Sequence, residues 1–382
     1  MSDLIFSIPQ ETYFGVDIIN RLAAVVLQYG ERALIITEAI LYERNNIGQL
    51  LELLEKKNIS YITYDEVVPN ATSSVVDEAL LLARGSKAQV IIGFGGMRTL
   101  ATAKCVAMLA NTKQGVAEAL AGEVPEAKPL TYIEIPTTGR NPFMYRDECL
   151  IVDERDRTAH ILRTPKNICK AIILDPKLSL TLPPKYTAAI LLENFLEAFE
   201  GYISIKNNVL AETYFLKAIE NISDIIPLIL ANPEDIKLRV AAATAGLITA
   251  LGLALSRSGL GSALIYALNA KLKVPKSWLA SILLPFIMEF FINTSSEKIM
   301  RIARILKEDI VGLSSVDASR KAVEAVQRMV SDLQFATRLR EFNLSLDSIL
   351  DIASNARSFD MLNYLPRATS VEEICDILKE AY

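Results

Sequence analysis

"VIIGFGGMRTLATAK" (Val90–Lys104) passes from strand to helix within fifteen residues. Val90, Ile91 and Ile92 form a short apolar, β-branched run, the mark of a buried strand. Gly93, Gly95 and Gly96 punctuate it, and the residues from Met97 onward favour helix. A strand, a glycine turn and the first turn of a helix are where an α/β protein cradles an anion. There the leading N–H groups are unpaired and the helix dipole is positive. A cradle of this kind is usually small and open, whereas here Met97 and Arg98 follow the glycines directly.

The flanking sequence sets the fold class. β-rich runs recur at Ala33–Thr37, Ser60–Tyr64, Gln89–Gly93 and Thr131–Pro136, with helical patterns between them such as "DIINRLAAVVLQYG" and "NIGQLLELLEKKN". Alternation of this kind predicts a parallel sheet covered on both faces, with ligands beyond the strand C-termini. Three of those ends are polar: Thr37-Glu38, Gly93–Gly96 and Thr137-Thr138-Gly139. "CLIVDERDRTAHIL" reads as a further strand pair, and "AIILDPKLSLTLPP" closes the sheet region at Pro183-Pro184. From Tyr186 only long helical periodicity remains. The expectation is a Rossmann-like α/β domain over 1–184 and an all-α domain over 185–382.

Bulk properties remove several function classes. The chain has 382 residues, 51% apolar and 22% charged, with a formal charge of −5. That describes globular domains without the basic footprint of a nucleic-acid binder. The apolar run Val240–Ser256 is short for a membrane span and reads as a core helix. The start lacks a basic, then apolar, leader pattern, and the four cysteines are widely separated, so a reduced, cytoplasmic protein is expected. A single histidine, His160, excludes sites built from several histidine ligands.

The segment "DPKLSLTLPPKYTAAILLENFLEAFEGYIS" resembles the iron-containing (group III) alcohol dehydrogenases. "FGVDIINRL", "GFGG…ATAK", "IPTTGRN" and "GLGSALIYALNAKLKVPKSWLASILLPFIMEFF" resemble further blocks of that family in the same order. The resemblance implies a dehydroquinate synthase-like fold, a site in the cleft between its two domains, NAD(P), a bound metal and a homodimer paired through the strand near Phe6–Phe14. It sets nucleotide positions at Glu38, Gly95, Gly96, Arg98, Thr137, Thr138 and Arg140. It sets metal-ligand positions at Glu193, Glu197, Tyr266 and Lys276.

At those positions the chain departs from the family pattern. Glu193 and Glu197, at i,i+4, share a helix face, but Lys276 brings an ammonium where the pattern has a histidine. A salt-bridged Glu–Lys–Glu cluster, a loose metal site and a catalytic lysine are all compatible with these residues. The expectation drawn from them is no iron or zinc. In the turn, Met97 replaces a glycine and is expected to crowd a pyrophosphate, which makes NAD use weak. Arg98 and Arg140 instead favour a small anionic ligand. Two functions follow: a divergent, metal-independent oxidoreductase with Tyr266 and Lys276 as its acid pair, possibly inactive as a dehydrogenase, or a non-catalytic binding protein for an anion. Neither a nucleic acid nor a membrane is an expected partner.

Overall fold

The computed structural model describes residues 7–44, 46–67, 72–123, 125 and 127–382. The chain divides into two compact units, Met1–Thr181 and Leu182–Tyr382. The division falls a few residues before the Pro183-Pro184 boundary expected from sequence.

Unit 1 runs β1 (Glu11–Phe14), α1 (Leu22–Val26), β2 (Arg32–Ile36), α2 (Ala39–Glu43), α3 (Gly48–Glu55), β3 (Ser60–Tyr64), α4 (Ser73–Gly85), β4 (Val90–Gly95), α5 (Met97–Leu109), α6 (Val116–Leu120), β5 (Thr131–Pro136), β6 (Glu148–Asp153), β7 (Thr158–Arg163) and β8 (Cys169–Leu174). Six strands form one parallel sheet in the order β1-β8-β5-β4-β2-β3. β6 and β7 make a separate antiparallel hairpin. Of the expected edge strand near Phe6–Phe14, Glu11–Phe14 form β1, and Phe6 lies outside the described residues.

Each face of the sheet carries its own apolar layer. Ala33, Ile35, Val90, Ile92 and Phe94 pack against Leu22, Val26, Leu50 and Leu54 of α1 and α3. On the other face α5 lies so close to β4 that side chains are excluded. A Cβ at Gly93 would come within 2.9 Å of the Ala103 Cβ, and one at Gly95 within 2.8 Å of the Thr99 Cβ. The glycines of the opening motif are therefore required partly for helix-on-strand contact. The helix expected over "DIINRLAAVVLQYG" is shorter than its pattern: Ile18–Arg21 winds as a 3-10 turn before α1.

Unit 2 holds α7 (Pro184–Ile203), α8 (Val209–Ala231), α9 (Ile236–Leu255), α10 (Leu260–Lys271), α11 (Lys276–Phe290), α12 (Ile292–Ile305), α13 (Ser315–Asp332), α14 (Ile349–Ser358) and α15 (Val371–Ala381). No strand occurs among its described residues. Phe215 of α8 is wedged between Gly201 of α7 and Gly252 of α9, where a Cβ would overlap its ring. α9 is long and apolar enough to cross a membrane by length and composition. Here it packs on α7 and α8, with Ala243, Ala245, Thr249, Ala250 and Leu253 buried.

Candidate active site

The sheet changes winding direction between β2 and β4. The chain leaves β2 toward β3 at one edge and leaves β4 toward β5 on the opposite side. In open α/β sheets that switch point is where ligands bind. Glu38 follows β2 there, and Gly95-Gly96 end β4. Glu38 Oε1 accepts the Gly96 N–H at 3.1 Å and also the Thr99 hydroxyl. Gly96 caps α5 from an extended conformation. Beside it, the Thr137 N–H donates to the Gly95 carbonyl at 3.0 Å. A Cβ on Gly96 would stand 3.7 Å from the Thr138 Cγ2. Glu38, Gly95, Gly96, Thr137 and Thr138 are thus brought together.

Arg98, the second residue of α5, is half-buried, and Arg140 is buried in the turn after Gly139, whose φ is +75°. Met97, half-buried, lines a small gap with Leu100, Ala101, Lys104 and Phe143 along the flank of α5.

In unit 2, α7 buries three glutamates on one face, Glu193, Glu197 and Glu200. Glu200, passed over in the sequence, caps α10. It accepts from Gly259 N at 3.0 Å, Ser262 N at 3.1 Å, Ser262 Oγ at 2.6 Å and Gly261 N. Burial nevertheless raises its carboxyl above the ordinary range. α10 carries buried Tyr266 and Asn269, and α11 begins at buried Lys276. The Lys276 ammonium donates to Asn269 Oδ1 at 3.1 Å, and Asn269 Nδ2 donates to the Val274 carbonyl at 2.6 Å. α7, α10 and α11 pack on one another. An ammonium has no lone pair for a metal, so Glu193, Glu197, Tyr266 and Lys276 do not fit a four-ligand metal site.

Another group does offer three ligands. On the β6–β7 hairpin, Asp153, Asp156 and His160 present ligand atoms within 4.8 Å of one another. Antiparallel pairing sets Asp153 opposite Thr158 and so on the face shared with His160. Thr158 Oγ1 stands 2.6 Å from Asp156 Oδ1 and 2.8 Å from His160 Nε2. Asp153 is held by Arg155 at 2.6 Å, which keeps its carboxyl below the usual range.

The chain is thus a parallel-sheet α/β unit with a glycine turn at its switch point, followed by an all-helical unit. Residues 9–176 match the family "Iron-containing alcohol dehydrogenase" and residues 187–382 match "Fe-containing alcohol dehydrogenase family, C-terminal". The chain belongs to the iron-containing alcohol dehydrogenase family, whose members are alcohol/aldehyde oxidoreductases. It is 26% identical to the lactaldehyde reductase of Escherichia coli (strain K12) over 378 residues, 98% of each chain. It is 23% identical to the NAD-dependent methanol dehydrogenase of Bacillus methanolicus over 387 residues, covering 98% of this chain and 99% of that one. The crystal structure of a 1,3-propanediol oxidoreductase superposes with a TM-score of 0.92 at 22% identity, covering 100% of both chains.

Two cofactor expectations are corrected by these findings. No iron or zinc was expected, yet the family is iron-containing and the Asp153, Asp156 and His160 group can hold a metal ion. The no-metal expectation was drawn from Glu193, Glu197, Tyr266 and Lys276, whereas this group lies on the β6–β7 hairpin and needs only the one histidine. Weak NAD use was also expected. The family match and an NAD-dependent relative overturn it.

Proposed function

We propose that the chain is a cytoplasmic, homodimeric NAD-dependent oxidoreductase that interconverts a small alcohol and its aldehyde. The observation that carries this is the Gly95-Gly96 turn at the switch point, flanked by Glu38 and by Thr137-Thr138. The unpaired N–H groups at the start of α5, together with Arg98, suit a pyrophosphate. Glu38 accepts from Gly96 and Thr99 through Oε1, and Oε2 serves a ribose diol. NAD(H), when bound, supplies the hydride.

Tyr266 donates a proton to the aldehyde oxygen as the alcohol forms. Lys276, a buried cation in the same helical unit, favours the resulting phenolate. A second function, binding without turnover of an anionic ligand at Arg98, is favoured by one observation: the residues at the four family ligand positions do not fit a metal. The test is NADH oxidation by short aldehydes, with and without added ferrous or zinc ions, in wild type, Tyr266→Phe and Lys276→Met. Turnover reduced about a hundredfold in both variants supports the assignment. Binding of NADH or phosphate with no turnover under any condition selects the second function.

A further inference from the structure

Lys104 and Glu134 form a buried pair directly behind the glycine turn. Lys104 is 1% exposed and Glu134 is fully buried. The Lys104 ammonium donates to the carbonyls of Phe143 at 2.8 Å, Arg146 at 3.2 Å and Glu148 at 3.4 Å. A lysine has three N–H donors, so backbone oxygens from one segment take all of them. The nearest Glu134 oxygen stands at 3.9 Å and acts as a charge partner rather than a hydrogen-bond partner. Glu134 has its own hold on the same segment. Its Oε1 accepts from Asn141 Nδ2 at 2.8 Å, and Asn141 Oδ1 accepts the Phe143 N–H at 3.0 Å.

Residues 137–147 leave β5 and reach β6 without forming helix or strand. With few ladder bonds, the shape of this segment depends on side-chain anchors. Its first residues, Thr137 and Thr138, stand against Gly95 and Gly96. A buried ion pair is rarely the cheapest way to fill a core, and its use to fix one geometry has to be argued case by case. Here three carbonyls, an asparagine and a carboxylate converge on a single loop beside the proposed nucleotide site.

We infer that Lys104 and Glu134 are positioning residues for the nucleotide. They act through the 137–148 segment, which they clamp in the form that presents Thr137 and Thr138 to the glycine turn. This rests on the assignment of the Gly95-Gly96 turn to NAD.

Two readouts on wild type, Lys104→Met and Glu134→Gln separate the possibilities. Hydrogen exchange of the 137–148 amides without nucleotide reads the clamp, and calorimetric titration with NAD reads the site. Lys104→Met is expected to speed exchange in that segment and weaken NAD by about tenfold or more, since hydrogen bonds to a charged group are lost. Glu134→Gln keeps an oxygen for Asn141, so smaller shifts in the same direction are expected. It also serves as the informative variant should Lys104→Met fail to fold. Unchanged exchange in Glu134→Gln and in any folded Lys104→Met overturns the clamp. Faster exchange with NAD affinity unchanged overturns the positioning role and leaves the proposed function standing. Faster exchange in a protein whose wild type does not bind NAD overturns the proposed function and not the clamp.

Discussion

The Glu38 carboxylate accepts the backbone N–H of Gly96 at 3.1 Å across 58 positions of sequence. One strand end thereby holds the turn at its neighbour's end. The two glycines of that turn answer differently to an added methyl group. A Cβ on Gly95 would stand 2.8 Å from the Thr99 Cβ, whereas one on Gly96 meets Glu38 and Thr138 at ordinary contact distances of 3.6 and 3.7 Å. Gly95→Ala is expected to cost about 1–3 kcal/mol through overpacking. Gly96→Ala is expected to stay within about 0.5 kcal/mol of wild type while weakening NAD, because its methyl enters the space beside the pyrophosphate. Urea denaturation together with NAD titration of both variants checks this. Equal loss of stability in the two would contradict it.

Glu200 gives a stability test in the helical unit. Its carboxylate takes four donors at the start of α10. Glu200→Gln turns an NH2 group toward N–H groups, leaving buried donors without acceptors at about 1–3 kcal/mol. A denaturation midpoint equal to that of wild type would show that the cap contributes nothing.

Glu134 sets a pH dependence. Burial raises its carboxyl, against the opposing pulls of Lys104, Asn141 and Tyr132. Below the unfolded value, about 4.3, both states are protonated and the group has no effect. As pH rises through the raised folded value, the folded state must bear a buried charge, so stability falls. Glu134→Gln lacks this dependence. Its stability relative to wild type should therefore rise between pH 4 and neutrality, whatever offset the substitution itself introduces. Denaturation of both proteins across that range decides it, and a gap that narrows or stays constant counts against the raised carboxyl.

Assembly is testable without any ligand. Among the described residues, β1 is hydrogen-bonded to β8 on one side only and forms an edge of the sheet. Unpaired strand edges favour association unless they are covered. Light scattering at micromolar concentration should give twice the 42.2 kDa of the chain. A single species at 42.2 kDa would contradict the dimer.

Local pattern carried most of the fold. Ser60–Tyr64 and Thr131–Pro136 form strands over the ranges read from their β-branched and aromatic residues. The helical half followed from periodicity alone. Short elements were harder, because Ile18–Arg21 shares the apolar spacing of α1 yet winds as a 3-10 turn. The strand ends were legible where backbone mattered, and Gly95, Gly96, Thr137 and Thr138 lie together there. The site was not legible where partners were distant. The bond from Glu38 to Gly96 and those from Lys104 to three carbonyls leave no mark in composition or spacing. Asp153, Asp156 and His160 were missed for a related reason. Only antiparallel pairing brings Asp153 and His160, on the two arms of that hairpin, onto one face.

Hydride transfer is the central claim, and isotope transfer tests it most directly. Purified protein is given NADH carrying deuterium at both C4 positions of the nicotinamide, together with a short aldehyde such as lactaldehyde, and the alcohol product is analysed by mass spectrometry. The account predicts one deuterium on the carbinol carbon, in a yield that falls in Tyr266→Phe and Lys276→Met. Bound NADH with no labelled alcohol from any aldehyde tried, with or without ferrous ion, would contradict it.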